Sequence, residues 1–102
     1  MREINTFIIH CSDTYPDMDI GVEEIRRWHK ERGWSDIGYH YVIRRNGKIE
    51  EGRNDGIVGA HAKGMNENSL GICMVGGKSK LDSFDLNTVN IKKASPKVIN
   101  KI

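Results

Sequence analysis

No stretch of this chain approaches the roughly 18 apolar residues that a membrane-spanning helix needs. The apolar part of MREINTFII is also too short for the core of a signal peptide. Both absences predict a chain made in the cytoplasm with no membrane as partner, so that any action outside would need another route of release. Cysteine is scarce: Cys11 and Cys73 are the only two in 102 residues, and in a reducing compartment they read as thiols rather than a bridge. HExxH, paired CxxC, the P-loop, GxGxxG and GxSxG are all missing, which removes the common short signatures of metalloproteases, zinc ribbons, nucleotide binders and serine hydrolases. Excess positive charge is lacking where a nucleic-acid face would need it, since residues 1–77 hold 10 Lys and Arg against 12 Asp and Glu. No nucleic acid is expected as partner. Residues 78–102 hold 6 against 2 and read as a solvated lysine-rich end rather than a binding arm.

What is present fits one small domain with a single core, at 37% hydrophobic and 29% charged residues. Ile4 to His10 is short, β-branched and aromatic, and reads as a buried strand that delivers His10 to the rim of a sheet. IGVEEIRRWHKERGW predicts a helix, with Gly21 as N-cap, Glu23 and Glu24 in the first turn, and Ile20 stapled to Ile25. Val22, Ile25 and Trp28 share its apolar face, Glu23 can pair with Arg27, and Gly33 ends the helix. GYHYVIRR and KIEEGR form a hairpin across Asn46-Gly47, expected as a two-residue type I′ turn. The Gly-rich stretch DGIVGAHAKGMNENS allows at most a short strand at Ile57-Val58. LGICMVGG reads as a central strand buried on both faces. The order β, α, β-hairpin, loop, β predicts the α/β class, a mixed sheet with a helix packed on it. Beyond Gly77 the periodicity weakens; a helix over about Leu86 to Lys93 is the most that the pattern supports.

The chemistry centres on histidine. His10 has two readings, a strand-end imidazole bonded to a backbone carbonyl or a metal ligand. Cys11, the next residue, should face the other way and cannot easily share a metal with it. His29, inside the helix, reads as a surface or core residue. His40 lies between Tyr39 and Tyr41, and strand alternation would put it on the face opposite both. His61 sits in a Gly-rich loop, a common place for substrate contacts. Cys73 reads as a small core residue. A catalytic zinc takes three protein ligands and keeps an open position for water, and spacing identifies only one good ligand here.

Taken together, IIHCS, IRRWHKERGWSDIGYHYVIRRNGKIEEGR and GAHAKGMNENSLGICMVGG are more specific than any one piece. The combination resembles the zinc-dependent N-acetylmuramoyl-L-alanine amidases of the phage lysozyme type, whose fold the peptidoglycan recognition proteins share. The match runs from residue 4 to residue 77. The resemblance implies a mixed central β-sheet flanked by helices, with zinc at the bottom of a groove and peptidoglycan as partner. The bond cut would be the amide between the lactyl group of N-acetylmuramic acid and the L-alanine of the stem peptide. His10 matches the first zinc ligand. Tyr39 matches the tyrosine beside the metal, which orients water or stabilises the oxyanion. His61, with Ala60 and Lys63, matches the loop bordering the groove; Asn66, Asn68 and Ser69 match the turn into the central strand. His61, Lys63 and Asn66 are thus the implied substrate contacts, while Trp28 and Trp34 look like framework.

The family pattern continues with a C-terminal helix, a second ligand histidine and a K-x-C-P or K-x-D-P stretch. No histidine follows His61 and no cysteine follows Cys73; Lys93 and Ser95-Pro96 echo the last motif only faintly. The resemblance ends near Phe84, so residues 1–84 are read as an incomplete amidase-like domain lacking that helix, and 85–102 as a divergent tail. An uncovered sheet face predicts marginal stability or a homo-oligomer that covers it. Three readings follow: an amidase acting on the cell wall after release, a non-catalytic peptidoglycan-binding module, or an inactive prophage remnant.

Overall fold

The computed structural model describes residues 2–78 and 97–101. Its elements are β1 (Thr6–Cys11), α1 (Val22–Glu31), β2 (Tyr41–Ile43), β3 (Ile49–Glu51), β4 (Ser69–Met74) and β5 (Lys97–Lys101). They build one five-stranded sheet in the order β3-β2-β4-β1-β5. β2, β4, β1 and β5 run parallel, and β3 returns antiparallel at one edge. The sheet is therefore mixed, as expected. β5 falls in the stretch read from the sequence as a tail, where it pairs with β1 from Thr6↔Lys97 to His10↔Lys101. The candidate helix at 86–93 and the Ser95-Pro96 echo lie outside the described residues.

α1 forms where its ends are satisfied. The Gly21 N–H donates to Glu24 Oε1 at 2.8 Å, and the Val22 N–H donates to Glu50 Oε1 at 2.9 Å. Arg44 holds that acceptor in place between Glu50 at 3.5 Å and Asp19 at 3.2 Å. At the far end Gly33, with φ +95°, reverses the chain. The Gly33 N–H reaches the Lys30 carbonyl at 2.9 Å and the Trp34 N–H reaches that of His29 at 3.2 Å, the paired bonds of a Schellman stop. Ile20 and Ile25 join Ile37, Val42, Cys73 and Val75 in one core, with Val22 and Trp28 packed against it. The predicted apolar face of the helix thus covers β2 and β4.

Two local expectations change. The hairpin loop has three residues, not two: Gly47 N–H bonds to the Arg44 carbonyl at 2.8 Å, and Arg44 N–H to that of Lys48 at 2.8 Å. Only Gly47 takes positive φ there, +87°, so the turn is type I closed by a glycine bulge rather than type I′. Asn46 Oδ1 accepts from Lys48 N–H at 2.9 Å, which suits asparagine to that corner. β4 is not equally buried on both sides; Ser69, Gly71 and Cys73 are buried while Leu70, Ile72 and Met74 are half-buried. Ile57-Val58 lies among turns and bends.

Gly47 has open space where a Cβ would stand, so a side chain there meets only backbone strain. Gly47→Ala should lower unfolding free energy by about 1–2 kcal/mol with no change in the folded contacts, read as a lower urea midpoint at constant m-value.

Candidate functional site

The site is built on one face of the sheet. Register sets His10 of β1 beside Cys73 of β4, with Val42 of β2 on the other flank of Cys73. His10 is the penultimate residue of β1 and is paired on both sides, to Cys73 and to Lys101, so it stands near the end of an interior strand. Two residues along β4, Gly71 leaves a bare backbone. A Cβ there would stand 2.4 Å from the His61 ring, so glycine is what lets His61 lie against the strand. His10 Nε2 and His61 Nδ1 are then 3.0 Å apart, with ring centroids at 5.1 Å and nearly perpendicular planes.

Tyr39 packs on the other side of His10, with centroids 5.1 Å apart. β2 begins only at Tyr41, so strict alternation does not extend back to Tyr39 and His40. The expectation that His40 turns away from the site fails for that reason: its ring lies 5.8 Å from that of His61. It is fully buried and accepts the Gly71 N–H at Nδ1 at 3.0 Å. His40 is thus the support behind His61. His29 is buried too, accepting the Gly38 N–H at Nδ1 at 2.9 Å. It stacks against Trp34 at 4.5 Å and Tyr39 at 5.4 Å. Its role is in the core, as read from the sequence.

In front of these rings opens a cleft of about 470 Å³. Tyr39, His61, Lys63, Asn66, Trp34 and Arg32 are among its lining residues. Trp34, taken from the sequence as framework, is a cleft wall, carried there by the Schellman stop that sets it on His29. Asn66 has a structural duty as well: its Oδ1 accepts the N–H groups of His61 and Ala62 at 3.0 and 2.9 Å. Arg2 straps the same loop, donating to the carbonyls of Asp55, Glu67 and Ser69 at 2.8, 2.8 and 3.0 Å. Neither the Arg2 strap nor the Arg32 position had any local sequence signal. Trp34 did, since a residue one past a C′ glycine packs back on the last turn.

Burial shapes the protonation states. Desolvation holds His29 and His40 below the usual imidazole value and takes His61 down to about 3. Desolvation likewise keeps the Tyr39 hydroxyl protonated far above neutral pH, with the Cys73 thiol hydrogen-bonded beside it. The Cys73 thiol is pushed up to about 12, again by burial. A protonated, fully buried thiol is a poor zinc ligand. Among the described residues no group of three or more His, Cys, Asp or Glu could hold a metal ion. His10 and His61 alone do not meet the three-ligand requirement of a catalytic zinc.

Gly71→Ala should push His61 off β4, costing about 1–3 kcal/mol of stability as overpacking does. The measurement is denaturant unfolding together with loss of the His61 ring contacts in NMR spectra. The three depressed imidazoles set a pH dependence. Between their folded values and the unfolded value of 6.5, the unfolded chain binds more protons. Their stabilisation is therefore complete above about pH 6.5 and lost progressively as pH falls below it. Urea midpoints measured from pH 8 down to pH 5 should be level at first and then decline; a flat profile would contradict burial of neutral rings.

Residues 1–99 match the family described as N-acetylmuramoyl-L-alanine amidase. The endolysin of Escherichia phage T7 is 52% identical over 83 residues, covering 81% of this chain and 55% of the relative. Peptidoglycan-recognition protein LB of Drosophila melanogaster is 40% identical over 67 residues, covering 65% of this chain and 28% of the relative. Among solved structures, N-acetylmuramoyl-L-alanine amidase LysC from Clostridium intestinale superposes with a TM-score of 0.67 at 38% identity, covering 74% of this chain and 49% of that one. The chain spans about half the length of the phage endolysins it matches. By sequence family and by fold, with a cleft lined by Tyr39 and His61 and with His10 in contact with both rings, the chain belongs to the N-acetylmuramoyl-L-alanine amidase family.

Proposed function

We propose that this chain acts on peptidoglycan, and that the bond concerned is the amide between N-acetylmuramic acid and the L-alanine of the stem peptide. The observation that carries the reading is the cleft lined by Tyr39, His61 and Trp34, in a chain of the amidase family. Its charge supports the ligand class. Among the described residues Arg32 and Lys63 line it and no acidic side chain does, which suits the carboxylates of a stem peptide. Trp34 offers an apolar face to the peptide or sugar. Asn66, its carbonyl already engaged by the loop, has its NH₂ to give a ligand carbonyl.

Tyr39 is the proposed catalytic residue. Its hydroxyl stays protonated at neutral pH, so it can donate to an oxyanion but cannot serve as a base. His61, with a value near 3, is too weakly basic to activate water at pH 7. Zinc is the proposed cofactor and His10 the residue that would hold it, but the described residues do not complete its coordination. A second reading is a module that binds the wall without cutting it, in line with the similarity to a peptidoglycan-recognition protein.

Purified insoluble peptidoglycan separates the two. Co-sedimentation of the chain, with new L-alanine amino termini appearing only when zinc is added, is the result expected of the amidase. Co-sedimentation without new termini would leave the binding module, and failure to sediment would overturn both. If cleavage occurs, Tyr39→Phe should lower it by about 10²-fold and leave sedimentation intact.

A further inference from the structure

Between the end of β3 at Glu51 and the start of β4 at Ser69 the chain forms neither helix nor strand. A loop of that length inside a small domain calls for a reason, and this one supplies His61, Lys63 and Asn66 to the cleft. Burial does not hold it, since its larger apolar residues, Ile57, Val58 and Met65, are exposed. Among the described residues no backbone hydrogen bond crosses from 54–58 to 62–68. Arg2 makes that crossing. Its Nε donates to the Asp55 carbonyl at 2.8 Å, on the arm that leads up to His61. Its Nη1 donates to the Glu67 carbonyl at 2.8 Å and to that of Asn66 at 3.4 Å, on the arm that leads away. Its Nη2 donates to the Ser69 carbonyl at 3.0 Å, where β4 begins, and comes within 2.9 Å of His40 Nε2. The backbone beside Arg2 is tied down as well. Asn68 Nδ2 donates to the Glu3 carbonyl at 3.0 Å, and the Asn5 N–H donates to that of Asn68 at 2.9 Å.

From this geometry we propose that Arg2 is a positioning residue for the cleft. Its guanidinium joins both arms of the 52–68 loop to the start of β4, and so fixes His61, Lys63 and Asn66 where a ligand meets them. The path from strap to cleft wall is short. Arg2 holds the Asn66 and Glu67 carbonyls, and the Asn66 side chain holds the N–H groups of His61 and Ala62. A planar cation with five N–H donors in a fixed fork can span acceptors on separate segments; an ammonium, with its donors on one atom, cannot. Bonds from a cation to carbonyls are also stronger than neutral ones. The order of the loop therefore depends on a side chain remote from it in sequence. The strap is a property of the fold, and its consequence for a ligand rests on the proposed action on peptidoglycan.

Amide hydrogen exchange of the ¹⁵N-labelled chain, paired with retention on insoluble peptidoglycan, tests the proposal. Arg2→Ala should speed exchange at His61, Ala62 and Met65 by about tenfold, as expected for losing charge-assisted bonds. Exchange at Ile72 and Cys73 of β4 should stay unchanged, and retention should fall. Arg2→Lys should behave as the alanine variant does. Millimolar ethylguanidinium should restore loop protection to Arg2→Ala, and ethylammonium should not. Unchanged loop exchange in the alanine variant overturns the proposal, as does equal speeding in the loop and in β4. A lysine variant with wild-type protection, or equal rescue by ethylammonium, would show that charge alone suffices and overturn it too. A loosened loop with undiminished retention would remove the role in the cleft. A wild-type chain that is not retained counts against the proposed function alone, because the exchange pattern needs no ligand. The lysine variant decides the matter even if Arg2→Ala does not fold.

Discussion

Because Gly71 carries no side chain, the His61 ring can lie directly on the central strand, and most of the site follows from that contact. The ring reaches His10 on the neighbouring strand from there, and it meets Ser69 two residues back along the same strand. His40 closes behind it, tied to the Gly71 N–H. The loop that carries His61 is held from outside by the Asn66 carbonyl and by the Arg2 guanidinium. A flat ring in a slot of fixed width leaves little rotamer freedom, which is how a loop residue acquires the precision of a strand residue.

Desolvation follows from the same slot and sets the chemistry. Rings pressed against backbone cannot be hydrated as cations, so His29, His40 and His61 stay neutral at pH 7. Tyr39 and Cys73, packed against one another, stay protonated. The floor of the cleft is therefore uncharged although it is rich in titratable groups. Its positive charge sits in front, on Arg32 and Lys63. On the proposed function, that charge would draw an anionic ligand to the mouth, and the fixed groups behind it would meet the amide without reorganisation.

Much of this was legible in the residues, and the gaps have physical causes. α1 was readable because its signals are local: the Gly21 start, the acidic first turn, the stripe of Val22, Ile25 and Trp28, and the Gly33 stop. β1 and β4 were readable as apolar runs, although β4 alternates in burial where the run suggested uniform cover. The turn at Asn46-Gly47 was placed correctly and typed wrongly, because both turn types favour asparagine and glycine and differ only in which residue takes positive φ. His40 was misdirected by applying a two-residue period one step before the strand begins. Arg2 could not be found at all, since its partners are carbonyls of residues 55 to 69, remote in sequence and invisible in side-chain type. β5 escaped notice because its pairing to β1 is a long-range backbone interaction in a stretch with little periodicity.

On the proposed function, binding and cleavage would draw on different parts of this architecture, and that separates them physically. The cleft wall is held by the Schellman stop, by the hydrogen bonds of Asn66 and by the core under α1, none of which needs a metal to be stable. Cleavage needs a group that activates water near neutral pH. Burial has taken that ability away from His61, and Cys73 is locked as a thiol. A family scaffold of this kind can therefore keep its recognition surface while its hydrolytic capacity hinges on donors beyond the His10–His61 pair. The same burial that lowers the basicity of His61 suits it to a fixed hydrogen bond with His10 rather than to moving protons.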